Sequence, residues 1–224
     1  MINVVTYVFF GLFVISSLVE IIVAFNEVEL VRKIVKPFSL LFLSIAVIVT
    51  LPTHPLIYIG ALLGMVGDIL LIFNKNRKLF LVGTFIFLLG HFAYLGEVLF
   101  VMMKQTPMEW WFYVVVVFSM LLITLAAYPF SKKITNNRYL ALLGNIYLST
   151  LILVTVVSLI ASLNGYANYM VLGIVGGISF LASDLILTKS TFIKDFRRRD
   201  YYIMLFYLLG QAFIVVGLTL TYIF

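Results

Sequence analysis

The chain has no cysteine, two histidines and little charge, and each shortage closes off some chemistry. Without cysteine there are no disulfides, no thiolate metal sites and no cysteine nucleophile. With only His54 and His91, a zinc site of three protein ligands would have to recruit Asp or Glu as well. No G-x-S-x-G is present and neither histidine has an obvious serine partner, so a serine hydrolase is poorly supported. Walker loops and dinucleotide fingerprints are missing too. Charged residues make up 11% of the 224 residues, where a soluble domain carries about a quarter.

Hydrocarbon fills the space: 64% of the residues are hydrophobic, in long runs without period-2 alternation. That pattern predicts an all-α integral membrane bundle and argues against a membrane barrel. Eight transmembrane helices are expected, at 3–25, 37–51, 55–73, 79–103, 109–129, 139–162, 166–187 and 201–223. The second is the shortest, with Pro37 read as its start and Pro52 and Pro55 beyond its end. The first run lacks a basic leader and a small-residue cleavage site, so it reads as a retained span. The whole chain, 1–224, is expected to be one transmembrane domain.

The net charge of +6 does not point to nucleic acid, because its basic residues sit in short loops between apolar runs. Loops 26–36, 74–78, 130–138 and 188–200 hold 14 of the 15 lysines and arginines, and Lys104 is the exception. The positive-inside rule places these loops in the cytoplasm and both termini on the non-cytoplasmic side. The cell membrane is the default location.

Two aspartates interrupt the apolar runs in similar settings. Asp68 lies in Gly67-Asp68-x-x-Leu71, followed by Leu88-Leu89-Gly90-His91; Asp184 lies in Ser183-Asp184-x-x-Leu187, followed by Leu208-Leu209-Gly210-Gln211. The correspondence predicts two four-helix halves, 1–104 and 105–224, of one orientation, a parallel repeat about an axis along the membrane normal. Asp68 and Asp184 would then lie at equal depth, about 8 Å and 5 Å from the cytoplasmic ends of their spans, and face a common cavity.

An ionisable group in a span is costly and marks a functional site by default. Glu20, Asn145 and Tyr147 fall at similar depth in their spans, Lys36 at the inner end of the second, and His91 and Gln211 nearer the midplane. Each also has a structural reading. The aspartates can accept bonds from neighbouring helices, Glu20 can reach the interface, His91 can orient a neighbour, and Asn145 and Gln211 can join helices. Glu97 reads as a wet group near the outer surface. Gly60 with Gly64 and Gly173 with Gly177 are close-packing pairs. The 188–200 loop is a topology signal whose Arg197, Arg198 and Arg199 can also hold anionic headgroups.

Acid–base work by carboxylates is the chemistry left. Two neighbouring buried carboxyls share a proton and titrate as a unit. One protonated and one ionised carboxyl together cleave bonds through oxocarbenium-like states.

The motifs Lys36-Pro37, Gly67-Asp68-x-x-Leu71, Gly90-His91-x-x-Tyr94 and Ser183-Asp184-x-x-Leu187, set over eight spans, resemble the YhhN family of lysoplasmalogenases. The resemblance covers essentially the whole chain. It implies hydrolysis of the vinyl ether bond of lysoplasmalogens to a fatty aldehyde and glycerophosphoethanolamine or glycerophosphocholine, with Asp68 and Asp184 as the general acid/base pair and no cofactor or metal. Lys36 would lie near the substrate phosphate, with His91, Tyr94, Glu20, Asn145 and Tyr147 as other substrate-binding members. The lysophospholipid and the surrounding membrane lipid are the expected partners, and the site lies toward the cytoplasmic half. The residues themselves also allow a small proton-coupled transporter, or a metal-dependent lipid amidase.

Overall fold

A computed structural model describes residues 3–72, 77–105 and 109–224. Within them the chain is helical, without strands. The elements are α1 (Val4–Phe25), α2 (Glu29–Thr50), α3 (Pro55–Leu71), α4 (Arg77–Gln105), α5 (Trp110–Ile134), α6 (Arg138–Leu163), α7 (Met170–Thr188) and α8 (Arg199–Ile223). A single π-helical turn, Lys189–Ile193, extends α7.

Seven of the eight helices are long and apolar enough to cross a membrane, and the protein is an integral membrane protein. The short one is α3, with 17 residues, or about 26 Å at 1.5 Å per residue. It is packed against α2, α4 and α8.

Three helix boundaries differ from those expected. Helix α2 starts at Glu29, so Pro37 is inside it and Lys36 is not at its end. The sequence 29–36 is a good helix former. Glu29 favours the helix N-terminus, and its carboxylate pairs with Lys33 one turn on at 2.6 Å. Pro37 removes one backbone donor without stopping the helix. Helix α5 likewise runs through Pro129 to Ile134, ending on Lys132 and Lys133, whose charges suit a helix C-terminus. Helix α7 begins later than expected, because residues before Met170 form a turn with Gly165 at φ +70°. Lys75, one of the loop cations, and position 73 at the expected end of the third span lie outside the described residues.

Neighbouring contacts run α1–α2–α3–α4–α6–α7–α8 and close from α8 back to α1. Helix α8 also touches α3 and α4 across the interior. Helix α5 stands outside this ring, with α6 as its only substantial neighbour among the described residues. Two crossings bring backbones unusually close. A Cβ on Gly90 would sit 3.1 Å from the carbonyl oxygen of Gly60, and one on Gly176 would sit 2.8 Å from that of Gly210. The first crossing joins α3 to α4 and the second α7 to α8, each about two turns from its aspartate.

Candidate active site

Helix α3 carries Asp68 near its C-terminal end, where the carboxylate is only 2% exposed. Lys36 reaches it from α2, with Nζ 2.9 Å from Oδ1. The Tyr207 hydroxyl of α8 donates to the other oxygen, Oδ2, at 2.7 Å. One carboxylate thus ties three helices together, and both of its oxygens are engaged. The pairing explains how a lysine is kept nine-tenths buried: the ammonium and carboxylate neutralise each other.

Asp184 on α7 has a different setting. The Tyr147 hydroxyl of α6 donates to its Oδ2 at 2.6 Å, and no cation pairs with it among the described residues. Asp184 is partly exposed where Asp68 is buried. Next to it, Ser183 Oγ donates to the Ile203 carbonyl at 3.0 Å, tying α7 to α8.

Both aspartates, together with Lys36, Tyr147 and Tyr207, line one cavity of about 450 Å³. Its apolar lining is aromatic and aliphatic, including Phe80, Phe87, Phe180 and Leu187. Its rim is charged and comes from the α1–α2 turn, the first turn of α2 and the segment joining α7 to α8. The arrangement offers a charged opening, an apolar lining and two carboxyls of unlike environment.

The other expected members are buried but do not line this cavity. Glu20, 0% exposed, accepts from Ser39 Oγ at 3.1 Å through Oε2. Its Oε1 makes no hydrogen bond among the described residues. His91 uses Nδ1 on the Phe87 carbonyl at 2.9 Å. The imidazole is ringed edge-on by Phe180 and Tyr147, with centroids at 4.5 and 5.2 Å, and Nε2 is unpaired among the described residues. It sits behind two residues of the cavity wall. Tyr94 donates to Gln211 Oε1 at 2.7 Å, bridging α4 and α8. Asn145 donates to Ser131 Oγ at 3.0 Å, holding α6 to α5.

Tyr207 was not anticipated. It lies one helical turn before Gln211, on the same face of α8, and that spacing was the available signal. Glu97 is a correction: it is 2% exposed, not a wet surface group. The loop residue His54 covers it, with Nδ1 2.8 Å from Oε1. The His54 ring stacks on Tyr222 at 3.6 Å between centroids. The buried pair replaces the lost hydration with a hydrogen bond between α4 and the α2–α3 turn.

These features define a polytopic helical membrane protein with an acidic, partly lipophilic cavity at one end of the bundle. The chain belongs to the YhhN family, whose sequence model matches residues 31–218. That segment contains Lys36, Asp68, Tyr147, Asp184 and Tyr207, while the rim residues Glu27 and Glu29 precede it. No curated protein and no solved structure matches the chain. Membership of this family is compatible with a hydrolase.

Proposed function

We propose that the protein is a lysoplasmalogenase, hydrolysing the vinyl ether of a lysophospholipid to a fatty aldehyde and a glycerophosphoethanolamine or glycerophosphocholine. The observation that carries this is the unlike pair of carboxyls on one cavity: Asp68 held by an ammonium and a phenol, Asp184 by a phenol alone. A two-carboxyl mechanism needs one ionised and one protonated group, and unlike surroundings separate those roles.

In this reading Asp68 is the carboxylate and Asp184 the acid. Asp184 gives its proton to the β-carbon of the vinyl ether, leaving an oxocarbenium ion that the Asp68 charge stabilises. Water adds to the cationic carbon and loses a proton to Asp68, giving a hemiacetal. The hemiacetal hydroxyl then returns a proton to Asp184 as its carbon–oxygen bond to glycerol breaks. The departing glycerol oxygen takes the proton from Asp68. One water is consumed and both carboxyls regain their starting states. The aromatic wall holds the alkenyl chain. Eight spans, outward termini and a cavity facing the cytoplasm complete the reading, on the strength of the basic loops.

The test is purified protein with lysoplasmalogen in heavy water, beside the saturated ether analogue. Aldehyde should form only from the vinyl ether, with one deuterium on the carbon next to the carbonyl. Cleavage of the saturated ether, or aldehyde without that deuterium, would reject carbon protonation.

One observation favours a second reading, a proton-coupled carrier. The buried His54–Glu97 pair is a titratable cluster remote from the acidic cavity. Substrate flux into proteoliposomes without aldehyde production would establish the carrier instead.

A further inference from the structure

The rim of the cavity sorts its charges into those that are satisfied and those that are not. Arg199 lies 2.7 Å from Asp195 and 3.5 Å from Asp200. Arg32 reaches Asp200 at 3.2 Å, and Lys33 holds Glu29. Deeper in, Lys36 is committed to Asp68. Three rim residues remain without an ion pair among the described residues: Glu27, Arg197 and Arg198, all on the cavity wall.

Backbone geometry singles out two of these three. Glu27 (φ 59°) and Arg198 (φ 60°) are the non-glycine residues with positive φ among the described residues. At Glu27 the left-handed conformation closes α1, with Glu27 N–H donating to the Ala24 carbonyl at 3.3 Å and Val28 N–H to that of Val23 at 3.1 Å; at Arg198, just before α8, the same conformation costs backbone energy. They also belong to one edge of the opening. The Arg198 guanidinium sits 3.9 Å over the ring of Phe25, two residues before Glu27. That ring is itself held edge-on by Tyr201 at 5.4 Å. The contact docks the start of α8 on the end of α1, so that Arg198 and Glu27 both line the cavity where these helices meet. A cation–aromatic contact leaves the guanidinium N–H edges available to an anion.

We infer that this rim is a headgroup clamp. Arg197 and Arg198 take the phosphodiester of the lysolipid, and Glu27 takes the ammonium of an ethanolamine- or choline-type headgroup. A phosphodiester suits paired guanidinium groups. The carboxylate adds selectivity by repelling a phosphate monoester, which carries more negative charge and no ammonium. The clamp deepens the lysoplasmalogenase reading and rests on it for the identity of the lipid. It assigns the headgroup to residues outside the acid pair.

The experiment measures equilibrium binding to the full-length protein in detergent. The probes are three saturated 1-alkyl lipids that cannot be cleaved: the glycerophosphoethanolamine, the glycerol-3-phosphate and the alkylglycerol. Wild type should bind the phosphoethanolamine lipid at least about tenfold more tightly than either of the others. Arg197→Gln with Arg198→Gln should erase the advantage over alkylglycerol. Glu27→Gln should erase the advantage over the phosphate monoester. Unchanged alkylglycerol affinity in each variant reports an intact cavity, and Arg198→Lys should keep part of the selectivity. Equal binding of all three lipids by wild type overturns the clamp without recourse to any variant. So does full selectivity in the double arginine variant. Aldehyde release is followed on the same preparations. Selective binding without aldehyde supports the clamp and removes the hydrolase reading; aldehyde without selectivity removes the clamp alone.

Discussion

The Lys36–Asp68 pair shapes what single substitutions can report. Removing either partner strands a buried charge, which typically costs about 3–5 kcal/mol. Asp68→Asn should therefore lower both activity and thermal stability, whereas Asp184→Asn, with no cation to strand, should lower activity with little effect on unfolding temperature. Both should reduce aldehyde release by at least about 100-fold. Near-normal turnover by either purified variant would remove the two-acid mechanism. Stability itself can be separated from chemistry. Lys36→Met alone should unfold at lower temperature than the double variant Lys36→Met/Asp68→Leu, which removes both charges and stays inactive. A double variant no more stable than the single one would mean that the pair is not buried as the geometry has it. At this scale the two aspartates were legible because charge inside hydrocarbon stands out in any sequence. Their partners were not. A tyrosine such as Tyr207 blends into an aromatic-rich helix, and nothing local in the sequence ties Lys36 to an acid 32 residues away.

Close helix approach is the other determinant of the site, and it belongs to whole elements. Each aspartate-bearing helix crosses its successor where a glycine leaves no room for a side chain. At Gly176 a hypothetical Cβ meets Ile214 Cγ1 and two backbone atoms, the Gly210 carbonyl oxygen and the Ile214 nitrogen, all at 2.8 Å, and the backbone atoms are the decisive ones. They cannot rotate away. Gly176→Ala should push α7 from α8, disturb the Ser183–Ile203 bond and cost about 1–3 kcal/mol. A thermal-shift assay in detergent checks this against Gly144→Ala, where a Cβ meets nothing within 4 Å and stability should hold. Equal stability of the two variants would contradict the crossing. The sequence showed Gly60 with Gly64 and Gly173 with Gly177 as packing pairs, so of the two crossings it marked only Gly60, while hydrophobic runs located all eight helices. It misjudged the start of α2, where Pro37 was read as a boundary, and the end of α5, where the polar, charged stretch from Ser131 to Lys133 was read as loop. The residues flanking Pro37 and Pro129 form helix well enough to carry the chain through.

For the molecule as a whole, the absence of cysteine supplies a direct test of topology. Single cysteines at Lys194 and Asn164, in connections at opposite ends of the bundle, should label from opposite sides of the membrane. An impermeant maleimide on intact cells should reach Asn164→Cys and spare Lys194→Cys until the membrane is opened. The reverse pattern would invert the protein, and labelling of both from one side would reject the alternating path. Charge placement is what sets this expected orientation. The asymmetry of the bundle was not readable: α8 turns inward and packs on α1, while α5, the counterpart of α1 in the expected repeat, has α6 as its only substantial neighbour among the described residues. Pattern matching between halves detects like motifs, but helix partners depend on contacts far apart in the chain.

Because α8 completes the enclosure by docking against α1, biosynthesis must reach α8 before any chamber exists. A translation product arrested after α7 would have inserted most of its hydrocarbon yet would lack Tyr207 and the wall it belongs to, leaving the Lys36–Asp68 couple with one side uncovered. Quality-control proteases would meet such an intermediate as an unclosed horseshoe in the bilayer. Activity should therefore be switched on only once α8 is in place.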